Sequence, residues 1–190
     1  MDEGIRAFVA IRLSPETDEA VARFQASLRK LGGDISWTRP ASFHLTLRFL
    51  GNRVAPAEIQ RMIDGLAPIA AATAPFMVQA HGARAFPSLK RPRVIWIGLT
   101  DGALAEVALK VEALSVRCGF EPEERPFAPH LTIGRMRNPS RDARMREALE
   151  LAADLDFGSS LIASMALYRS HLSPQGAKYE TLATLPFEGG

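Results

Sequence analysis

A single cysteine, Cys118, stands in the 190-residue chain, so no intrachain disulfide is open to it. At the end of a helical pattern it reads as a small buried hydrophobe. No apolar run approaches the roughly 18 residues that mark a membrane-spanning helix. The opening Met1-Asp2-Glu3-Gly4-Ile5-Arg6 lacks the basic stretch and apolar run of a secretory signal. A reduced, cytoplasmic setting with no membrane partner is therefore expected. An excess of one charge is also missing: 23 basic residues against 21 acidic leave +2, too little for a protein that grips nucleic acid by bulk electrostatics. Neither His-Glu-x-x-His, a helix-borne zinc motif, nor Gly-x-Ser-x-Gly, a serine-nucleophile elbow, occurs. No linker is long enough to separate independent domains, so residues 1–190 are expected to form one bilobal domain, and nothing calls for more than a monomer.

What the chain does have is a repeated phrase. His44-Leu45-Thr46-Leu47 returns as His130-Leu131-Thr132-Ile133, and the interval is 86 residues from histidine to histidine and from threonine to threonine. Each copy alternates apolar and polar residues, the pattern of a strand with one packed and one open face. Phe43, Leu45, Leu47 and Phe49 fall on one face, with His44, Thr46 and Arg48 on the other. Leu131 and Ile133 likewise oppose His130 and Thr132. Each strand is thus expected to present an imidazole and a hydroxyl about 6.6 Å apart on one face, a shared site between two related halves. Arginines gather around these strands (Arg39, Arg48, Arg91, Arg93, Arg125, Arg135 and Arg137), a bias suited to phosphate.

Around the repeat, Ile5 to Leu13 reads as a strand, and Ser14-Pro15-Glu16 as a helix start with serine as its cap. Val21, Phe24, Leu28 and Leu31 follow at helical spacing until Gly32-Gly33. A short extended piece spans Ile35 to Trp37. Pro56 opens a second helix, and two strands run from Phe76 to Phe86 and from Val94 to Leu99. Asp101 is expected to cap a third helix and Ser140 a fourth. Two last strands, near Ser160 to His171 and Tyr179 to Pro186, flank the turn Ser173-Pro174-Gln175-Gly176. With an apolar share of 47%, enough for a core at this length, the order predicts an α+β architecture of two sheet-and-helix lobes.

Two imidazoles near their reference pKa of about 6.5 can supply a base and an acid in one turnover. Each threonine adds a hydroxyl donor for an anionic oxygen. On alternation alone Arg48 extends the histidine face toward a phosphoryl group whose charge grows in the transition state, whereas Arg135 turns away from His130. Zinc is the rival, but a catalytic site normally takes three protein ligands, and neither motif has a nearby Asp, Glu or Cys; no metal is expected. A lone strand histidine is more often a satisfied polar group than a catalyst. Two in matching motifs, each with threonine at the same offset, point to chemistry. His81, His171 and Tyr179 read as structural, while Tyr168 and Trp37 are candidates for stacking a base.

The paired His-x-Thr motifs resemble the signature of the two-histidine (2H) phosphoesterase superfamily, and the wider pattern resembles its RNA 2′,3′-cyclic phosphodiesterase branch, also called the 2′-5′ RNA ligase family. Phe8-Val9-Ala10-Ile11, His44 to Gly51, Pro92 to Gly98, Phe127 to Thr132, and Ser170, Gly176 and Tyr179 carry the likeness. The resemblance implies a bilobal, pseudo-two-fold fold of two antiparallel-rich sheets, with outer helices and a central cleft. It further implies hydrolysis of an RNA terminal 2′,3′-cyclic phosphate to a 2′-phosphomonoester without metal or cofactor, with reversible 2′-5′ joining as a side activity. RNA ends, tRNA fragments among them, or nucleotides would be the partners. His44 would be the proton donor, His130 the proton acceptor, and Thr46 and Thr132 holders of the non-bridging oxygens; Arg135 matches a frequent basic position. Gly134 departs from the bulkier residues usual there, which would widen one wall of the cleft. The alternatives are a phosphodiesterase for linear 2′-5′ oligonucleotides or small cyclic nucleotides, and a non-catalytic RNA-end-binding module.

Overall fold

Residues 4–100, 102–137, 143–173 and 176–189 are described by the computed structural model. The expected caps Asp101 and Ser140, the turn residues Pro174 and Gln175, and Met1, Asp2 and Glu3 lie outside them. The chain runs β1 (Ile5–Ile11), α1 (Pro15–Arg29), β2 (Ile35–Trp37), β3 (Leu45–Val54), α2 (Pro56–Ala71), β4 (Phe76–Phe86), β5 (Val94–Thr100), α3 (Gly102–Arg117), β6 (His130–Met136), α4 (Ala143–Leu151), β7 (Asp156–Ile162), β8 (Ser164–His171) and β9 (Lys178–Pro186). Local chemistry starts α1 where expected: the Thr17 amide donates to Ser14 Oγ at 3.3 Å, and Pro15 fills the first helical position.

Two antiparallel sheets result, one ordered β3-β1-β8-β9 and the other β2-β6-β5-β4-β7. A shift of 86 residues carries β1 onto β5, β3 onto β6 and β4 onto β8. The halves therefore exchange strands, since β2 and β4 of the first half lie in the second sheet and β8 and β9 of the second half in the first. Helices follow the exchange. α1 packs on β7, while α3 packs on β3 and α2. The apolar stripes set these contacts: Ile59, Met62, Leu66 and Ala70 of α2 are buried, as are Leu104, Val107, Val111 and Leu114 of α3. Fully burying side chains such as Met62 and Leu66 stabilises the fold by about 1.5–3 kcal/mol each. Among the described residues no helix is long and apolar enough to cross a membrane.

One strand expectation is corrected. The run from Ser160 to His171 is two strands, β7 and β8, broken at Ala163 and paired into different sheets. Both are apolar and extended, so composition alone does not mark the point where the chain changes sheet.

The motif strands, too, depart from strict alternation. Along β3 the register steps from Val9↔Arg48 to Ala10↔Thr46, two residues against one. Along β6 it steps from Ile95↔Gly134 to Trp96↔Thr132 in the same way. Each strand thus carries a β-bulge just after its threonine, at Leu47 and Ile133, again 86 residues apart. An extra residue reverses the alternation beyond it. Arg48 is turned onto the helix side of β3, and Arg135 returns to the face of His130.

Candidate active site

His44 sits between a short 3-10 turn, Pro40–Ser42, and the first residue of β3; His130 opens β6. Both half-buried rings are tied the same way. His44 Nδ1 lies 2.8 Å from the Ser42 carbonyl, and His130 Nδ1 lies 2.7 Å from the Ala128 carbonyl, each two residues upstream. A carbonyl only accepts, so each Nδ1 carries the proton and each Nε2 is left to exchange one. Aromatic rings fix the planes. Phe8 and Tyr179 lie 4.9 and 5.0 Å from the His44 ring, Tyr179 edge-on at 83°. Phe86 and Trp96 lie 5.4 and 5.8 Å from His130, at 85° and 69°.

Burial pushes the His44 imidazole below its ordinary range. The Ser42 carbonyl pulls the other way, and the charges of Arg12, Arg135 and His130 add to the lowering. Thr46 is exposed and Thr132 half-buried, paired opposite Ala10 and Trp96. Residues paired directly across antiparallel strands share a face. Since Trp96 touches His130, Thr132 shares the His130 face, and exposed Arg135, opposite Val94, lies there too.

Arg48 is not on that face. It is 7% exposed and pairs with Glu112 at 3.0 Å and Glu123 at 3.1 Å, while its Nε donates to Ser115 Oγ and its Nη2 to the Glu121 carbonyl. The bulge, not the residue type, decides this, and Arg48 is removed from the set of substrate-binding candidates. Gly134 is corrected as well. A Cβ there would lie 2.9 Å from Trp37 Cε3 and 3.1 Å from Ile35 Cγ2, so the missing side chain admits the Trp37 ring and does not widen the cleft. Trp37 packs against the hydrophobic core. His171 pairs with Glu180 at 2.8 Å. Tyr179, expected to be structural, lies against His44.

A cavity of about 420 Å³ opens beside His44, lined by Phe8, Tyr168 and Tyr179 together with Arg12, Arg39 and Lys178; His130 is not among its lining residues. The sequence alone did not single out Arg12, Lys178 or the aromatic pairs about the histidines, whose members come from strands far apart in sequence. Among the described residues no three His, Cys, Asp or Glu side chains form a cluster able to hold a metal ion.

Comparison with known proteins places these features in company. The family model described as LigT like phosphoesterase matches twice, over residues 11–96 and 97–179, and the two matches start 86 residues apart. A curated RNA 2′,3′-cyclic phosphodiesterase of Aquifex aeolicus is 33% identical over 180 residues, 92% of this chain and 93% of that protein. Another, from Methanothermobacter thermautotrophicus, is 28% identical over 92% of this chain and 95% of its own length. The crystal structure of E. coli LigT complexed with 3′-AMP superposes with a TM-score of 0.80 at 22% identity, covering 97% of this chain and 99% of that one.

Proposed function

Because the chain belongs to the LigT-like phosphoesterases, in the RNA 2′,3′-cyclic phosphodiesterase family, we propose that it opens a 2′,3′-cyclic phosphate at an RNA end to a 2′-phosphomonoester, residues 1–190 acting as one bilobal unit. Water attacks phosphorus and gives its proton to Nε2 of His130. The bond from phosphorus to the 3′ oxygen breaks, and that oxygen takes a proton from Nε2 of His44. Thr46 and Thr132 hold the non-bridging oxygens by hydroxyl donation, and Arg135 balances the charge that develops on them. A 5′-hydroxyl in place of water would leave a 2′-5′ linkage by the same step, the route by which ligation would arise as a side activity.

The observation that carries this reading is the matched pair of imidazoles, each with Nδ1 bound to its own chain and Nε2 left to move protons. Each general acid or base contributes roughly 10²–10⁴-fold. The role of each ring is supported by the cavity. It flanks His44 and not His130, so a nucleoside seated in it brings its 3′ oxygen beside His44 and leaves the opposite side of phosphorus to water, as in-line displacement requires. His44 must be protonated to act as donor, and the phosphate anion supplies the charge that offsets its burial.

Incubation with 2′,3′-cyclic nucleotides and with RNA bearing a cyclic end, in the presence of chelator, is the test. Release of the 2′-phosphomonoester is expected. Binding without turnover, or turnover that chelator abolishes, would end the proposal.

A further inference from the structure

The inward stripe of α1 contains an amide. Its buried residues are Thr17, Val21, Gln25 and Leu28, and Gln25 is 2% exposed. Such burial is unfavourable unless the amide finds hydrogen-bond partners. Nε2 of Gln25 donates to the Thr38 carbonyl at 2.7 Å and to the Ile133 carbonyl at 2.8 Å. Resting on the function proposed above, we infer that Gln25 is a positioning residue: by holding the bulge at Ile133 it keeps Arg135 on the face of His130, toward the reacting phosphate.

Ile133 is the extra residue of β6. The Thr38 amide, just past β2, also donates to its carbonyl at 3.0 Å. That oxygen is therefore gripped by the neighbouring backbone and by a helix side chain together. A bulge interrupts the ladder and bends its strand. If it relaxed to plain alternation, Arg135 would turn to the helix side.

The two halves hold their bulges by different means. In β3 the residue after the bulge, Arg48, reaches α3 itself through Glu112 and Ser115. Its counterpart 86 residues on is Gly134, which has no side chain to offer and leaves that space to the Trp37 ring. The contact comes from the helix instead. Gln25 stands on α1 where Val111, apolar and buried, stands on α3. The next position is Phe49 in the first half and Arg135 in the second. Burial lowers the His44 pKa most, and the Arg135 charge adds to that lowering, so a displaced guanidinium can be read at His44.

Gln25→Met keeps the length of the side chain and removes both donors. The test compares it with Arg135→Gln and with the double variant. The readouts are kcat and KM of the folded fraction on adenosine 2′,3′-cyclic monophosphate, and NMR titration of His44. Gln25→Met is expected to lower kcat by about 3–100-fold, since a misplacement of about 1 Å can cost 10²-fold. KM should change by less than about twofold, and the His44 pKa should rise, as in Arg135→Gln. In the Arg135→Gln background the same change should add nothing, with kcat within about twofold and His44 unmoved. Losses that multiply would overturn the inference. So would a Gln25→Met protein that is less stable but keeps the native kcat and His44 titration, for the amide would then be merely structural. Gln25→Asn, too short to reach both carbonyls yet still polar, is the second variant should Gln25→Met not fold. Its kcat should fall too, and a native value would again overturn the inference. A native protein without turnover would overturn the proposed function, while the His44 titration would still decide whether Gln25 places Arg135.

Discussion

Arg48 and Glu112 meet at 3.0 Å on the side of β3 turned from the cleft. The guanidinium also reaches the Glu121 carbonyl and Glu123, and the Glu123 amide donates to Glu112 at 2.8 Å. One arginine from the first motif strand thus fastens the end of α3 and the segment that leads toward the second motif strand. It adds a polar tie between the two halves to the packing of α3 on β3 and α2.

Arg48→Met should therefore lower stability far more than catalysis. Removing one partner of a buried ion pair costs about 3–5 kcal/mol. Glu112 and Glu123 keep 28% and 51% side-chain exposure, and that screening reduces the expected loss to about 1–3 kcal/mol. Urea unfolding reads it as a lower midpoint, with kcat/KM of the folded fraction held within roughly tenfold. A large loss of kcat/KM with an unchanged midpoint would mean that the guanidinium serves the substrate after all.

Gly134→Ala should destabilise chiefly by crowding Trp37, with Ile35 a second close neighbour. The new methyl would sit 2.9 Å from the Trp37 ring, and overpacking of this kind costs about 1–3 kcal/mol. Trp37→Leu costs stability by itself, yet in the double variant the two losses should sum to less than their separate values, because the clash is gone. Strict additivity in thermal melts would show that Trp37 is not what the missing side chain makes room for.

The repeated histidine and threonine were legible because they are adjacent in sequence and precede the irregularity in each strand. Arg48 and Arg135 were exchanged in role because alternation presumes an unbroken ladder. The bulges at Leu47 and Ile133 arise from register against β1 and β5, far away in sequence, and no local residue type announces them. Distance hid the cavity in the same way: Arg12 follows β1 and Lys178 opens β9, and only the pairing of β1, β8 and β9 in one sheet brings them together. The strand change at Ala163 was missed because residues on both sides are equally extended.

Acid and alkaline limbs of the rate profile should separate the two rings. With His44 as donor, kcat/KM falls as pH rises through the His44 pKa of the free protein. Burial and nearby positive charge hold that pKa below its ordinary value of about 6.5. A bound phosphate anion raises it, so the alkaline limb of kcat should lie at higher pH than that of kcat/KM. Arg135→Gln removes one of the lowering charges and should move the kcat/KM limb upward even as its height falls. A limb that stays in place, or moves down, would show that His44 is not the group titrating there.

His44→Ala and His130→Ala, made singly and together, test whether the rings act as one device. Each single change should cost roughly 10²–10⁴-fold in kcat, with little loss of fold, since both rings are only half-buried at the cleft. A base that draws the proton from water is of little use when nothing protonates the departing oxygen, and the converse holds too. The double variant should therefore be scarcely slower than the worse single one. If instead the two losses multiply, each histidine contributes on its own, and concerted acid and base action across one phosphorus is not how this cleft works.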